Sequence, residues 1–302
     1  MRTFKSSAGL GLLIAAAVLI AGGMHQAAAA QKTEAFTISS ADIEQSGATL
    51  FNLSLAIGGA QVDIVQSDNS DIILKAEITY NGFGPVPKLQ TAAEGGIFSA
   101  TLSSGDESSY IMPHTSFLQT WRVEIGSYSV DTDLLVAGGG VACDMDLGGM
   151  PLRNINLAMG GVSATIDFKA PTTRRVESFM VEGGGMNLNM NQLGNTDFQS
   201  FMLTGGGVLA NLDFSGAYGS PKHDVKVIGA GSRISISVPA ATGQALDALS
   251  VGGLTIIMGQ GWERHINFFF YKNYKSDNYD TADAILDLQL LSAGSFVTVT
   301  RD

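Results

Sequence analysis

The sequence predicts an all-β protein whose strand pairs stack as a β-solenoid, a single-chain β-helix. Three observations favour it: glycine pairs recur every 21 to 24 residues, apolar and polar residues alternate on both sides of each pair, and helical periodicity is sparse. The six pairs are Gly139/Gly140, Gly160/Gly161, Gly184/Gly185, Gly206/Gly207, Ala230/Gly231 and Gly252/Gly253. Coils of about 22 residues are typical of repeats that bury their apolar side by stacking on neighbours.

Each repeat is predicted to hold two strands joined at a glycine corner. The apolar column before the glycines is Val136, Leu157, Val181, Leu203, Val227 and Leu249. The first apolar column after them is Cys143, Ala164, Leu188, Ala210, Ile234 and Ile256. Because the parity of the apolar residues changes at the glycines, the chain must turn there to keep both columns inside. A glycine at the second position of every pair suits a backbone with positive φ.

Residues 1–30 have the pattern of a secretory signal peptide. Arg2 and Lys5 precede an apolar run at residues 10–21, and the alanines at 28–30 supply small residues for a cleavage site. The run is short for a membrane span, and no later uninterrupted stretch reaches the required length. We therefore expect an exported protein, periplasmic or extracellular, with no membrane span after cleavage.

The rest of the chain divides where the pattern changes. Residues 31–130 are expected to form an irregular N-terminal β segment with early coils, since Gly58 and Gly59 make a similar corner. Residues 131–261 hold the regular repeats. Residues 262–302 are expected to form atypical capping strands, because the terminal repeats of a solenoid must cover an exposed end.

Composition narrows the classes of partner. The chain has 28 acidic and 17 basic side chains, a net charge of −11, which argues against nucleic acid and against electrostatic docking to anionic lipid. Cys143 is the single cysteine, so no intramolecular disulfide is expected. No cofactor is predicted.

Motifs of catalysis are absent from the sequence. It has no GxSxG nucleophile elbow, no HExxH metal motif and no GxxxxGK[ST] phosphate loop. The histidines after the leader, His114, His223 and His265, are scattered, and His223 and Asp224 should face opposite ways on a strand. We predict no catalytic residues, no metal ligands and no enzymatic activity.

A ladder of outward polar residues is the first candidate binding site. Its members are Asp144, Asp146, Asp167, Asn189, Asn211 and Asp213. Oxygen ligands on strands about 4.8 Å apart could hold calcium or hydrogen-bond a sugar chain lying along the face. The alternative is a solvated face that keeps the protein soluble, and the GGxGxD spacing of calcium-binding solenoids is missing.

A second outward strip is more apolar than a solvated surface usually is. Its main members are Leu135, Met180, Met202 and Ile228. Exposed apolar patches commonly mark contact surfaces. The strip is either covered by the N-terminal or C-terminal segment of the same chain, or it is an interface with a partner or a second copy.

Residues 120–168 resemble the bacterial toast-rack and putative-adhesin domains of unknown function. The resemblance rests on the repeated glycine corners and on the link Pro151-Leu152-Arg153-Asn154-Ile155, and it extends well over residues 120–239 and loosely over 52–79. It implies an exported β-solenoid of a bacterial envelope, and it brings no catalytic residues with it.

Sequence and resemblance together lead to one functional expectation with two alternatives. We expect an exported, non-catalytic envelope protein that is structural, adhesive or ligand-binding. The alternatives are a sensory or regulatory envelope-stress domain and a polysaccharide-active β-helix enzyme. The partners expected are another envelope protein, a glycan or a second copy bound through the solenoid faces.

Overall fold

The computed structural model describes residues 30–82, 85–105, 119–268 and 270–302. Those residues form one short α-helix, one 3-10 turn and 23 strands in two large mixed sheets, which confirms the all-β prediction. Most of the predicted signal peptide and His114 lie outside these ranges. No helix in the described ranges has the length and apolar character needed to cross a membrane.

The elements are numbered in chain order. The helix α1 is Ser40–Ser46 and the 3-10 turn is Leu193–Thr196. The first twelve strands are β1 (Gln31–Ser39), β2 (Leu50–Gly58), β3 (Ala60–Gln66), β4 (Ile72–Asn81), β5 (Lys88–Glu94), β6 (Ile97–Ser103), β7 (Gln119–Ile125), β8 (Asp131–Gly139), β9 (Ala142–Asp146), β10 (Leu152–Gly160), β11 (Ser163–Asp167) and β12 (Ser178–Gly184). The others are β13 (Asn187–Asn191), β14 (Ser200–Gly206), β15 (Leu209–Asp213), β16 (Lys222–Ala230), β17 (Arg233–Val238), β18 (Gly243–Val251), β19 (Leu254–Met258), β20 (Trp262–Asn267), β21 (Tyr271–Ser276), β22 (Ile285–Ala293) and β23 (Phe296–Arg301).

Each of the two sheets takes one strand from every repeat. Sheet A has the order β1-β4-β7-β3-β9-β11-β13-β15-β17-β23-β19, and sheet B has the order β20-β21-β18-β22-β16-β14-β12-β10-β8-β2-β6-β5. A strand of sheet B and the following strand of sheet A form one layer, and successive layers pair in parallel. Antiparallel strands cover the ends: β4 and β1 in sheet A, β5 and the β20–β21 hairpin in sheet B.

A glycine with positive φ separates the two strands of most layers. These glycines are Gly59, Gly140, Gly161, Gly185, Gly207, Gly231, Gly252 and Gly294, with φ between 57° and 66°. A left-handed residue here lets the chain turn from one sheet into the other without exposing either apolar column. In the repeat at Gly252/Gly253, the first glycine takes this conformation, so the predicted alignment of that repeat is wrong by one residue.

That one-residue error reverses the predicted orientation of side chains in β18 and β19. Leu249, expected inside, is 40% exposed, whereas Leu246 and Ala248 are buried. On β19 the buried residue is Thr255 rather than Ile256. Successive strand residues face opposite sides, so a slip by one residue moves the whole apolar set to the other face.

The strand order is not the chain order at either end of the stack. Strands β22 and β23 lie between the β16/β17 layer and the β18/β19 layer. At the other end, β2 and β3 lie between the β6/β7 layer and the β8/β9 layer. Within residues 262–302, the β20–β21 hairpin therefore covers the end of sheet B, whereas β22 and β23 extend the stack.

The core lies between the two sheets and is closed on its third side by links without strands. Phe179 and Phe201 on adjacent layers pack edge to face with ring centroids 5.2 Å apart. Asn195 in the 3-10 turn donates to the Phe168 carbonyl at 2.7 Å and accepts from the Ala217 backbone at 2.8 Å. These bonds join three successive links, so the third side is held layer to layer as the sheets are.

Candidate functional site

The outer face of sheet A carries the predicted polar ladder, and we call it the polar face. In-register parallel pairing places one column of side chains side by side across six adjacent strands. The column is Asp144, Thr165, Asn189, Asn211, Ser235 and Thr298. The parallel strands keep a spacing of about 4.8 Å, so the polar groups repeat at nearly equal distances along the stack.

Three members of the predicted site are free for a ligand. Asp144, Asn189 and Asn211 are exposed, and no side-chain hydrogen bond or ion pair is found for them among the described residues. The structure brings Asn189 and Asn211 next to each other and places Thr165 between Asn189 and Asp144. Each amide offers two donors and an acceptor to the solvent side.

The other three predicted residues are engaged in the protein itself. Asp146 accepts from the Gly148 backbone at 3.3 Å and pairs with the Lys169 ammonium at 3.0 Å, which raises the pKa of Lys169. Asp167 accepts from the Asn191 amide at 2.5 Å. Each carboxylate lies at the last residue of its strand.

Asp213 shows most clearly what these strand-end carboxylates do. It accepts from the Ser215 backbone at 2.8 Å and from the Ser215 hydroxyl at 2.7 Å. Aspartate that bonds the backbone two residues later initiates a turn. Asp146 makes the same backbone bond to Gly148, so these carboxylates end the strands and are only partly available to a ligand.

A shallow groove of about 240 Å³ lies on the polar face over β13, β15, β17 and β23. Its polar lining is Asn189, Asn191, Asn211, Asp213, Ser235, Ser237, Thr300 and Asp302. Amides and hydroxyls dominate this lining, which suits hydrogen bonding to a neutral polar ligand. Among the described residues there is no group of three His, Cys, Asp or Glu side chains placed to hold a metal ion.

The predicted apolar strip lies on the outer face of sheet B, and its members are half-buried. Met180 and Met202 are neighbours on adjacent strands, and Asn156 separates Met180 from Leu135. Ile228 lies in the next column, beside Thr204 and away from the methionines. The strip is therefore interrupted by polar residues instead of forming one apolar surface.

A larger apolar surface, which the sequence reading missed, lies where the last two layers turn the glycine corner. We call it the C-terminal corner, and it consists of Leu249, Val251, Leu254, Leu291, Phe296, Phe268 and Phe270. The sequence did contain a signal for it: Ser292-Ala293-Gly294 repeats the spacing of Gly229-Ala230-Gly231. Treating residues 262–302 as a separate cap concealed that repeat.

His223 and Cys143, two of the residues with possible reactive chemistry, are buried. The ring nitrogens of His223 lie 2.5 Å from the Phe198 carbonyl and 2.8 Å from the Ser220 carbonyl, with no exposed surface on the ring. Asp224 faces the opposite side of the strand. Burial raises the pKa of the Cys143 thiol to about 12, so the nucleophilic thiolate is not formed at neutral pH.

The link that carried the sequence resemblance has a structural task. Arg153 donates to both oxygens of Asp133, at 2.9 Å and 2.5 Å, and Asn154 donates to the same carboxylate at 2.9 Å. The pairing of β10 with β8 shifts register at this point. Arg153 and Asn154 thus join two layers where the backbone ladder is irregular.

Comparison with solved structures finds similar chains from several bacteria. A putative cell adhesion protein from Clostridium sporogenes is 11% identical, with 90% of this chain and 100% of that chain covered and a TM-score of 0.45. A putative adhesin from Bacteroides fragilis is 10% identical, with 90% and 97% covered and a TM-score of 0.34. One from Parabacteroides distasonis is 8% identical, with 89% and 97% covered and a TM-score of 0.35.

No curated protein matches the chain. The model of one family does match: the N-terminal domain of toast_rack, DUF2154, over residues 30–185. That range is more than half of the 302 residues and runs from β1 through β12 to the corner glycine Gly185. The chain therefore belongs to the toast-rack family.

Proposed function

We propose that this chain is an exported, non-catalytic envelope protein built as a β-solenoid, and that it binds a neutral linear glycan along the polar face. The observation that carries the proposal is the column of exposed amides and hydroxyls around Asn189 and Asn211. These amides have no partner among the described residues, so a ligand bonds them without displacing an internal contact. Each such bond contributes about 1 kcal/mol, so affinity comes from repetition.

Several features of the face favour a neutral sugar polymer over the other ligand classes. The strand-end carboxylates are engaged within the protein, Asp146 and Asp213 by their turns and Asp167 by Asn191, and no three-residue metal cluster is found in the described part of the chain, so calcium is disfavoured. A negatively charged polymer is disfavoured by Asp144 and Asp213. The hydroxyls of a sugar chain both donate and accept, as the amides do.

The absence of catalysis is part of the same proposal. Hydrolysis of a glycosidic bond requires two carboxyl groups that flank the bond, one of them kept protonated. Asp146 and Asp213 are hydrogen-bonded to their own turns and Asp167 to the Asn191 amide on the next strand, and the groove on this face is shallow. We also propose that the protein is exported to the envelope, because residues 1–30 have the pattern of a signal peptide.

The test is binding of purified protein to soluble envelope polysaccharides, measured by isothermal titration calorimetry. We expect Asn189→Ala/Asn211→Ala to weaken binding at least tenfold with an unchanged far-UV spectrum. Gln289→Ala, an exposed amide on the outer face of sheet B, is the matched control and should bind normally. Equal affinity of the double variant and the wild type would reject the polar face as the site.

A second arm separates binding from catalysis. Release of reducing ends is measured with the same polysaccharides over many hours. We expect none above the rate without protein. Turnover that Asp144→Ala or Asp213→Ala abolishes would replace this proposal with the polysaccharide-active alternative.

A further inference from the structure

The C-terminal corner differs from the rest of the surface in how much apolar side chain it exposes. Val251 is 65% exposed, and Phe268 and Phe270 are 63% and 58% exposed with their rings stacked at 6.3 Å. At the opposite end of the stack, the large apolar side chains found exposed in the described ranges are Val86 and Ile97. End repeats of stacked proteins normally carry a polar outer face, so an apolar end indicates a covered one.

The corner residues form one continuous surface. Leu249 pairs with Leu291, and Leu254 pairs with Phe296 on the other side of the glycine turn. Val251 lies between the two pairs. The Ser250 backbone donates to the Phe270 carbonyl at 2.8 Å, which brings the stacked phenylalanines to the same place.

The area of this surface is sufficient for a dimer. Large apolar and aromatic side chains expose about 150–250 Å² each when free, so the seven residues offer roughly 600 Å² per molecule. Two copies together would bury about 1,200 Å², the lower end of the range for specific protein–protein interfaces. An isologous contact requires only one such patch, because each copy supplies the same one.

Charge favours a second copy over a lipid surface. The corner columns of the last two layers contain no acidic side chain. Arg233 lies over the Phe296 ring at 5.8 Å, and the Lys272 ammonium donates to the Thr255 carbonyl beside Leu254. Asp247 lies two residues before Leu249 on β18, and the whole chain has a net charge of −11. An anionic bilayer would repel that charge over its whole area. Two copies can meet at the acid-free corner while their acidic surfaces point apart.

We propose that the C-terminal corner is the interface of a homodimer, in which two copies meet end to end about a twofold axis near Val251. The proposal does not depend on glycan binding, because Asn189 and Asn211 lie on β13 and β15, which β17 separates from the corner strands β23 and β19 in sheet A. In this proposal the second copy binds at the end of the stack and not at the predicted strip of Leu135, Met180, Met202 and Ile228.

Light scattering coupled to size-exclusion chromatography on residues 31–302 tests the proposal. We expect a dimer that dissociates on dilution, and a dissociation constant raised at least tenfold by Val251→Glu. Val86→Glu places the same charge at another exposed valine, at the other end of the stack, and this control should remain a dimer. Far-UV circular dichroism checks that both variants are folded.

A cross-linking experiment supplies an independent measurement. Val251→Cys should form disulfide-linked dimers under mild oxidation, because a twofold axis brings the two introduced thiols together. Val86→Cys should not, and the native Cys143 is buried. A monomeric wild type at every concentration, or an unlinked Val251→Cys, overturns the proposal. So does sedimentation of the wild type with phosphatidylglycerol vesicles that Val251→Glu abolishes, because the covering partner is then lipid.

Discussion

Three successive glycines at residues 205–207 meet three different constraints. A Cβ on Gly205 would lie 2.2 Å from the Gly183 carbonyl oxygen in the neighbouring layer. A Cβ on Gly206 would find its nearest neighbour at 3.8 Å, and Ala230 and Ala293 occupy the same position in the next two layers. A Cβ on Gly207 would find its nearest neighbour at 3.9 Å, but the residue has a φ of +63°.

These constraints rank the three alanine substitutions. We expect Gly206→Ala to change the free energy of unfolding by less than about 0.5 kcal/mol. Gly207→Ala should lower it by about 1 kcal/mol because of the left-handed backbone. Gly205→Ala should cost more than about 2 kcal/mol because the layers must separate. Urea unfolding of the three variants measures the order, and a costly Gly206→Ala would contradict the account of the corner.

Leu212 and Asn211 test which way the side chains of β15 point. Leu212 is 1% exposed, so Leu212→Asp places an unpaired carboxylate in the core and should prevent folding. Asn211 is the exposed residue next to Leu212, so Asn211→Asp only adds one surface charge. The Asn211→Asp variant should unfold at nearly the same urea concentration as the wild type. Circular dichroism distinguishes the two, and similar behaviour of both variants would contradict the column assignment.

The thiol of Cys143 gives a pH prediction. Burial raises its folded-state pKa from 9.0 to about 12, so between these values the unfolded chain releases a proton that the native chain retains. The contribution of this thiol to stability is therefore complete below pH 9 and falls as the pH rises toward 12. Urea unfolding of the wild type and of Cys143→Ala should converge over this range. A difference independent of pH would show that the thiol ionises over the same pH range in the native protein as in the unfolded chain.

At the scale of elements, Arg301 joins three segments at the end of the stack. Its guanidinium donates to the carbonyls of Gln260 and Ala240, at 2.9 Å and 3.0 Å, and to the Asn278 side chain at 2.9 Å. It also pairs with Asp277 at 3.0 Å. One side chain on β23 therefore holds both the entry to the β20–β21 hairpin and the turn that follows it.

Removing that side chain should loosen the end of the stack selectively. We expect Arg301→Ala to cost about 2–3 kcal/mol of local stability, since several hydrogen bonds to a charged group are lost together. Amide hydrogen exchange should become faster in β20 and β21 and stay unchanged in β10 to β15. Uniform acceleration through all layers would mean that the hairpin unfolds only with the whole molecule.

At the scale of the whole molecule, the local sequence pattern predicted the strands and the glycine corners. It did not predict the order of the strands in the sheets, because that order depends on pairing between distant residues. The alternation around residues 131–238 and the positive φ of Gly207 could be read from the sequence, because each depends on one residue and its neighbours. The place of β22 between β16 and β18 could not, because a sequence pattern does not determine which strands pair. Leu249 was misplaced for a different reason: the corner glycine of its repeat is Gly252 and not Gly253, which shifts the register by one residue.

The candidate site was predictable to a similar degree. The outward direction of Asn189 and Asn211 follows from strand periodicity alone. Asp146 and Asp213 are engaged by backbone groups two residues further along, and Asp167 by Asn191 on the next strand, and these contacts depend on side-chain geometry that periodicity does not give. The C-terminal corner needed the true strand order before its apolar residues could be placed together.

The interleaved strand order at the C-terminal end has a consequence for how the chain reaches its native state. Strand β18 pairs with β22, not with β16, so its parallel neighbour is absent until residues 285–301 are available. A chain that becomes available from its N-terminus onward can form the central layers early. The last three layers, β16/β17, β22/β23 and β18/β19, can pair completely only when β22 and β23 are present. Strands β22 and β23 are the last to be made, and they insert between two layers that precede them in the chain. A protein that crosses a membrane unfolded would thereby keep its C-terminal corner unassembled until the entire polypeptide has arrived.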